Sequence, residues 1–264
     1  MRNFLKILVL IITIAAIGCL WYFTHKEHVE RPLKRVELTV ERPTEKGFIN
    51  KDVEYQKIMH ICDTTHNNLV TMIPVDSIRK YIATIPWAVY TNAEMTFDEV
   101  LQVKIVECQP IMRVYNKNGQ SVYLDEDGNI FPESANYTPH LLIGNGNLNF
   151  KALKNSNANI SNMEYASSDL PKMFNVMKSV LNNSYSKVCV KQVYYDNKTY
   201  ELVLNNVDLK VILGNDKNVD VKLMNMKYFL EKMQGSPELN DYKKINFNFE
   251  NQVVCTKNKN KNKR

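Results

Sequence analysis

Alternating apolar and polar positions predict a β-α-α-β-β unit in the first half of the chain. Residues 36–40 alternate with the two-residue period of a half-buried strand. Asn50 can cap a helix that runs to about Cys62, and a shorter helix starts near Pro74. Alternation returns over residues 87–95 and 100–107, which predicts two more strands. The predicted core of this unit is Val36, Leu38, Ile58, Ile78, Leu101, Val103 and Ile105.

Two hairpins are predicted after Pro110. The runs "IMRVY" and "SVYL" flank Asn118-Gly119, and the runs "VYL" and "NIF" flank Asp127-Gly128. Both dipeptides are strong signals for a tight turn between antiparallel strands. Three consecutive strands are therefore expected.

The rest of the second half mixes helices with strands. Apolar residues recur every three or four positions over 168–182 and 219–233, as on the buried face of a helix. Strands are predicted at 188–195, 200–204, 209–213 and 245–254, and Gly144–Gly146 is predicted to be a loop. The fold class is α+β, with antiparallel strands and two or more helices in this half.

The amino-terminal segment has the pattern of a single membrane span. Residues 7–23 contain no charge, and 17 helical residues cover roughly 26 Å, close to a thin bilayer core. Trp21, Tyr22 and Phe23 close the segment, as aromatic side chains do at an interface. We predict a cytoplasmic tail at 1–6, an uncleaved transmembrane helix at 7–23 and a spacer at 24–35. Lipidation at Cys19, in a weak lipoprotein box, stays open as an alternative.

The positive charge lies mainly at the chain ends. The formal net charge is +6, but seven of the 34 basic side chains lie in residues 1–6 and 257–264. The remainder has 27 basic and 28 acidic side chains, which gives no basis for nucleic-acid binding. Residues 257–264 contain no apolar side chain and are predicted to be a disordered basic tail.

Neither cysteines nor histidines indicate a metal or cofactor. The cysteines stand far apart without a C-x-x-C motif, which argues against zinc and redox chemistry. Separate buried cysteines are favoured, although three disulfide pairings are open among Cys62, Cys108, Cys189 and Cys255. The histidines show no metal-ligand spacing.

Asp125 and Asp127 allow two interpretations. A D-x-D pair after apolar residues can hold a metal and a sugar nucleotide in a type II membrane glycosyltransferase. The same residues are explained by the predicted hairpin turn, and the strand runs around them do not predict a parallel nucleotide-binding sheet. The hairpin is favoured, and no catalytic residue, metal or cofactor is predicted.

Several segments together resemble the FtsQ/DivIB family of bacterial cell-division proteins. After the anchor come "VKIVECQP", "VYLDEDGNIFP", "LLIG", "LKVILGN", "VKLMNMKYFL" and "YKKINFNFENQVV", in the family's order up to about residue 256. The resemblance implies a POTRA domain at 36–107, a β-domain at 108–256 and no catalysis. Two positions depart from the family pattern: Cys108 stands where arginine is common, and Phe249 stands where tyrosine is frequent.

The resemblance also implies a role and partners. Family members are single-pass proteins of the cytoplasmic (inner) membrane with an extracytoplasmic, in these bacteria periplasmic, carboxyl-terminal part. They bind FtsB/DivIC-like and FtsL-like bitopic division proteins and link them to septal peptidoglycan synthesis. The expected function is that of a membrane-anchored scaffold.

The predicted partner site is the last strand. A polar tail follows residues 245–254, so one side of that strand is expected to offer free backbone groups to a partner strand. Phe247 and Phe249 are predicted to face the core, and the alternating polar side chains to face the partner. The predicted partner-binding residues are Ile245, Asn246, Phe247, Asn248, Phe249, Glu250, Asn251 and Gln252.

Overall fold

A computed structural model describes residues 10–22, 31–63, 69–154, 157–205, 209–234, 236–250 and 252–258. The chain divides into two compact units, residues 1–107 and 108–264.

The amino-terminal segment begins the first unit. Residues 10–22 are helical, and their apolar side chains are exposed. Within the described residues, no helix has both the length and the apolar character needed to span a membrane. The span predicted for residues 7–23 lies partly outside the described residues.

The rest of the first unit has the predicted order of elements. It contains the strands β1 (Arg35–Glu41), β2 (Ala88–Met95) and β3 (Val100–Glu107), and the helices α1 (Lys51–Asp63) and α2 (Val75–Ile82). A 3-10 turn at Val70–Met72 precedes α2. The sheet order is β1-β3-β2, because β1 joins β3 in parallel after the helices and β2 joins β3 as a hairpin.

The core of this unit is the predicted one, because all seven expected side chains are buried. Asn50 caps α1: its Oδ1 accepts hydrogen bonds from the backbone N–H of Asp52 and Val53. At the end of β3, Glu107 is also buried, and its carboxylate accepts backbone bonds from Phe48 and Ile49. Burial raises the pKa of Glu107, and these bonds partly oppose the shift.

The second unit is built on one ten-stranded sheet. Its order is β13-β12-β11-β10-β9-β7-β4-β5-β6-β8. The strands are β4 (Met112–Tyr115), β5 (Ser121–Leu124), β6 (Asn129–Phe131), β7 (Leu142–Gly146), β8 (Ala158–Asn159), β9 (Val190–Asp196), β10 (Thr199–Leu204), β11 (Lys210–Gly214), β12 (Tyr242–Asn246) and β13 (Val254–Lys257).

Helices supply the other half of the core. They are α3 (Met163–Ala166), α4 (Leu170–Asn182), α5 (Ser184–Cys189) and α6 (Val219–Met233), and a 3-10 turn at Pro237–Asp241 precedes β12. Both long helices lie where helical periodicity predicts them. The apolar stripes of α4 and α6 pack with the inward side chains of the strands in one continuous cluster.

The α+β class is confirmed, but the expectation of an antiparallel sheet is wrong. The pairs β4–β7, β7–β9 and β11–β12 are parallel. The chain passes through α3, α4 and α5 between β7 and β9, and through α6 between β11 and β12. A helical crossover returns the chain to the same end of the sheet, so the next strand runs parallel. The sheet is therefore mixed.

Both predicted hairpins are confirmed. β4 pairs with β5 across Asn118-Gly119, and β5 pairs with β6 across Asp127-Gly128. Gly119 and Gly128 have φ angles of +79° and +76°, which glycine adopts without steric cost.

The prediction of a loop at Gly144–Gly146 is wrong, because these residues form the end of β7. A Cβ on Gly144 would lie 2.6 Å from the sulfur of Met177, so glycine lets α4 pack closely on the strand. Gly146 has φ +120°, and a Cβ there would lie 2.0 Å from the carbonyl oxygen of Tyr195. Glycine occurs at these two positions because α4 and β9 pack closely against the strand, and not because the strand breaks there.

Two smaller expectations can be compared with the structure. No disulfide joins any two of the five cysteines; Cys62 and Cys108 are buried, while Cys189 and Cys255 are half-buried. The basic tail begins later than predicted, because Lys257 belongs to β13 and Asn258 donates a backbone bond to Asp241. Residues 259–264 lie outside the described residues.

Candidate partner-binding edge

The predicted final strand at residues 245–254 is not continuous. β12 ends at Asn246 and β13 begins at Val254. The side chain of Asn246 accepts a hydrogen bond from the backbone N–H of Asn248, 2.8 Å away. An asparagine that binds the backbone two residues on favours a turn over a strand, so the chain turns here.

β12 has neighbours on both sides and offers no free edge. It pairs in parallel with β11, where Val211 stands opposite Ile245. On its other side it pairs antiparallel with β13, where Ile245 stands opposite Cys255. The expectation that the strand starting at Ile245 keeps one side unpaired is therefore wrong.

The predicted site residues divide into two groups. Ile245 and Phe247 are buried, and the Phe247 ring packs edge-on against Phe229 of α6 at a centroid distance of 6.0 Å. Phe249 is 46% exposed, so the two phenylalanines do not share the core-facing row that alternation predicted. Glu250 and Gln252 are exposed, and Asn251 lies outside the described residues.

Asn248 helps to hold the turn against the sheet. Its Oδ1 accepts a bond from the backbone N–H of Asn215 at 3.4 Å. Gly214, at the end of β11, has φ +75°, and a Cβ there would lie 1.9 Å from that oxygen. The side chain of Asn248 thus bonds the turn to the residue after β11, although Asn248 itself is exposed.

One edge strand of the sheet is β13, and the other is β8. Among the described residues, no strand pairs with its outer side. The N–H of Asn258 points toward β12, since it donates to the carbonyl oxygen of Asp241 at 2.7 Å. Successive N–H groups of a strand point to opposite sides, so the N–H groups of Cys255 and Lys257 point outward. They form the outer edge of the sheet.

A cavity of about 340 Å³ lies near this edge, between the start of α6 and residues 247–250. Val221, Phe249 and Glu250 contribute to its lining. Lys222 also lines it: its ammonium donates to the backbone and side-chain oxygens of Asn215, at 3.0 and 2.8 Å. Burial lowers the pKa of Lys222. The cavity therefore has an apolar wall beside a fixed, bonded lysine.

Exposed apolar side chains surround the edge. Val254 on β13 is 43% exposed, and Val253 just before it is 37% exposed. Val221 on α6 and Phe249 in the turn are 52% and 46% exposed. Sequence reasoning missed Val253 and Val254 because it treated them as the end of the previous strand.

This part of the chain matches a known family model. The model, described as FtsQ/DivIB, C-terminal related, matches residues 109–256, which are more than half of the chain. The chain belongs to the FtsQ/DivIB family. No curated protein matches it. The family match supports a role in cell division and confirms the resemblance drawn from the sequence segments.

The matched FtsQ/DivIB region includes almost all of the β12–β13 hairpin and its edge. Phe249, which departs from the family pattern, is one of the exposed side chains beside that edge. Its surface position is compatible with partner contact, but it offers no hydroxyl group. The side chain of Phe249 in this FtsQ/DivIB protein therefore presents an aromatic ring without a hydrogen-bonding group.

Asp125 and Asp127 lie in the turn between β5 and β6. Asp125 Oδ1 accepts hydrogen bonds from the backbone N–H of Asp127 at 3.0 Å and of Asn129 at 2.9 Å, and Oδ2 accepts from the Asn129 side chain. Both carboxylate oxygens of Asp125 therefore accept hydrogen bonds from residues of the same turn. In the part of the chain that the structure describes, no cluster of three His, Cys, Asp or Glu side chains could hold a metal ion.

Proposed function

We propose that this protein is a non-catalytic, membrane-anchored scaffold of the bacterial division machinery. Residues 7–23 serve as a single-pass anchor in the cytoplasmic (inner) membrane, and the chain that follows the anchor lies on its extracytoplasmic side. Residues 36–107 act as a POTRA domain and residues 108–256 as the β-domain. The family match over residues 109–256 supports this proposal, and the element order of the first unit is compatible with a POTRA domain.

The observation that carries the proposal is the outer side of β13. A strand edge with outward N–H groups can be extended by a strand of another protein, which supplies backbone hydrogen bonds. The half-exposed side chains of Phe249, Val253 and Val254 offer adjacent apolar contacts for selectivity. The partner site is thus centred on β13 and not on β12.

The proposed partners are an FtsB/DivIC-like and an FtsL-like bitopic protein. An extended segment of the FtsB/DivIC-like partner pairs with β13, and the complex connects these proteins to septal peptidoglycan synthesis. Of the residues predicted from the sequence, Phe249, Glu250 and Gln252 keep an exposed position beside the edge. Ile245 and Phe247 support the edge from the core.

A proline in β13 tests the edge pairing. Lys257→Pro removes an outward N–H at an exposed position, and edge strands tolerate proline when the lost N–H faces solvent. One backbone hydrogen bond contributes a net 0.5–1.5 kcal/mol, so we expect roughly 2- to 10-fold weaker binding of the FtsB/DivIC-like partner. Titration calorimetry with the purified partner measures this change.

Two further variants make the test specific. Cys255→Pro removes the central outward N–H and should weaken binding by a similar factor. Thr256→Pro removes an inward N–H in the ladder with β12 and should lower the unfolding free energy instead. Undiminished affinity in both Lys257→Pro and Cys255→Pro, with both proteins folded, would show that the partner does not pair with β13.

A further inference from the structure

Three chain segments converge at one end of the first unit. The backbone N–H of Lys34 donates to the carbonyl oxygen of Glu99 at 2.9 Å, which joins residues 31–34 to the turn between β2 and β3. On the other side, the N–H of Val70 donates to Arg31, also at 2.9 Å. Residues 31–34 are therefore held between the β2–β3 turn and the 3-10 turn at Val70–Met72.

Each flanking segment exposes a large apolar side chain. Phe97, in the β2–β3 turn, is 97% exposed, and Met72 is 58% exposed. Neither side chain contributes to the core of the unit, whose buried members lie elsewhere in the fold. We call Arg31, Lys34, Met72 and Phe97 the apical patch.

The two cations of the apical patch form ion pairs with the nearly buried Glu99. Glu99 forms ion pairs with Lys34 at 2.6 Å and with Arg31 at 3.1 Å, and its side chain is only 12% exposed. The hydrogen bond from Lys34 is the main reason why the pKa of Glu99 is lowered. The side chains of Lys34 and Arg31 remain 60% and 40% exposed. Asp98, next to Phe97, is exposed as well, so the two cations and two acids of this region sum to zero charge and its apolar side chains supply the attraction to an interface.

The position of the apical patch along the chain indicates its surroundings. Only seven residues lie between Phe23, the last residue of the proposed membrane anchor, and Arg31. A chain of that length spans at most about 30 Å even when fully extended. The apical patch is therefore tethered close to the membrane surface wherever the anchor is inserted.

We propose that the apical patch contacts the lipid headgroup layer. Phe97 and Met72 insert into the interface, and Arg31 and Lys34 lie near lipid phosphates. Apolar side chains of interfacial segments are buried about 5–10 Å into the headgroup and acyl boundary. This inference rests on the proposed membrane anchor at residues 7–23. Its consequence is that the first unit is held against the bilayer by a second contact.

Tryptophan fluorescence in reconstituted vesicles tests the inference on the full chain. The vesicles contain phosphatidylethanolamine and phosphatidylglycerol, with or without bromine on the acyl chains. The parent has only Trp21, in the anchor, and the buried Trp87. Phe97→Trp adds a third emitter at the patch. We expect its additional emission to be blue-shifted and to be strongly reduced by the brominated lipids.

Tyr90→Trp is the matched control. Tyr90 is 54% exposed on the same hairpin, and seven strand residues place it roughly 23 Å from position 97. Its added emission should be unaffected by bromine. Equal quenching at both positions, or no quenching at position 97, would show that the apical patch does not contact the headgroup layer. Quenching of Trp21 in the same samples would still support the anchor. Absence of Trp21 quenching in every variant would overturn the anchor and the patch together.

Discussion

The two ends of the ten-stranded sheet differ in how they are finished. At one end, β4, β5 and β6 form a meander whose side chains are mostly buried, and β8 pairs with the outer side of β6. At the other end, β13 is largely exposed, and within the described residues no strand pairs with its outer side. We call the end at β8 the closed end, because its last strand has only two residues and both are half-buried, and we call the end at β13 the open end, which we propose keeps backbone groups available for a partner.

A small polar cluster reinforces the closed end. The guanidinium of Arg113 lies 4.8 Å from the ring centre of Tyr115 and 5.0 Å from that of Tyr123. It donates to Ser121 at 2.8 Å and to Glu133 at 3.0 Å. Glu133 thereby ties the segment after β6 to the sheet. At the open end, Val253 and Val254 are exposed instead.

The largest predicted effect comes from shortening a side chain in the closed end. Ile130 in β6 is fully buried, so Ile130→Ala should lower the unfolding free energy by about 2–5 kcal/mol. Val254→Ala at the open end should change it by less than about 0.5 kcal/mol. Urea unfolding of the two variants measures the difference. Equal losses would mean that the two ends do not differ in packing.

A smaller effect is expected for the glycines of the two hairpins. Gly128→Ala forces a side chain into the left-handed region and places its Cβ 2.7 Å from the Ile160 side chain, so it should cost about 1–3 kcal/mol. Gly119→Ala has a similar φ but no atom within 4 Å of its Cβ. It should therefore cost less than Gly128→Ala. The reverse order in urea unfolding would contradict the packing of Ile160 on this turn.

The aspartates of the second hairpin should affect stability only slightly. Asp125→Asn keeps the Oδ1 acceptor for two backbone bonds and should cost about 1 kcal/mol or less, and Asp127→Asn should cost still less. Neither change should affect binding of a sugar nucleotide in the presence of manganese. Manganese-dependent binding by the parent that is lost in Asp125→Asn would instead favour the glycosyltransferase interpretation.

The smallest effect concerns pH at the closed end. The hydrogen bond from Ser121, helped by Arg113, lowers the pKa of Glu133. A lowered pKa means that the ionised form stabilises the folded state above the unfolded value of about 4.3, and that this contribution is lost as the pH falls through the folded pKa. Thermal unfolding of the parent and of Glu133→Gln should differ at pH 7, and the difference should shrink as the pH falls below about 4.3. A constant difference across this range would show that Glu133 acts by packing alone.

The sequence by itself determined the local elements and their buried faces. Periodicity located α4 and α6, the dipeptides Asn118-Gly119 and Asp127-Gly128 located two hairpins, and Asn50 marked a helix start. These features depend on interactions between residues a few positions apart. Such short-range interactions depend on the residue types within one segment, so the segment's sequence is enough to recognise them.

Only the tertiary structure decided the order of the strands and the position of the free edge. β7 was hidden because Gly144 and Gly146 weaken a strand signal, yet α4 and β9 approach there too closely for a side chain. The turn at Asn246–Asn248 separates β12 from β13, and pairing with β11 places β12 inside the sheet. Strand order and edge exposure depend on contacts between residues far apart in the chain. No local pattern around residues 245–257 specifies strand order or edge exposure. The sequence therefore predicted the edge at the strand that starts at Ile245, whereas the structure has it at β13.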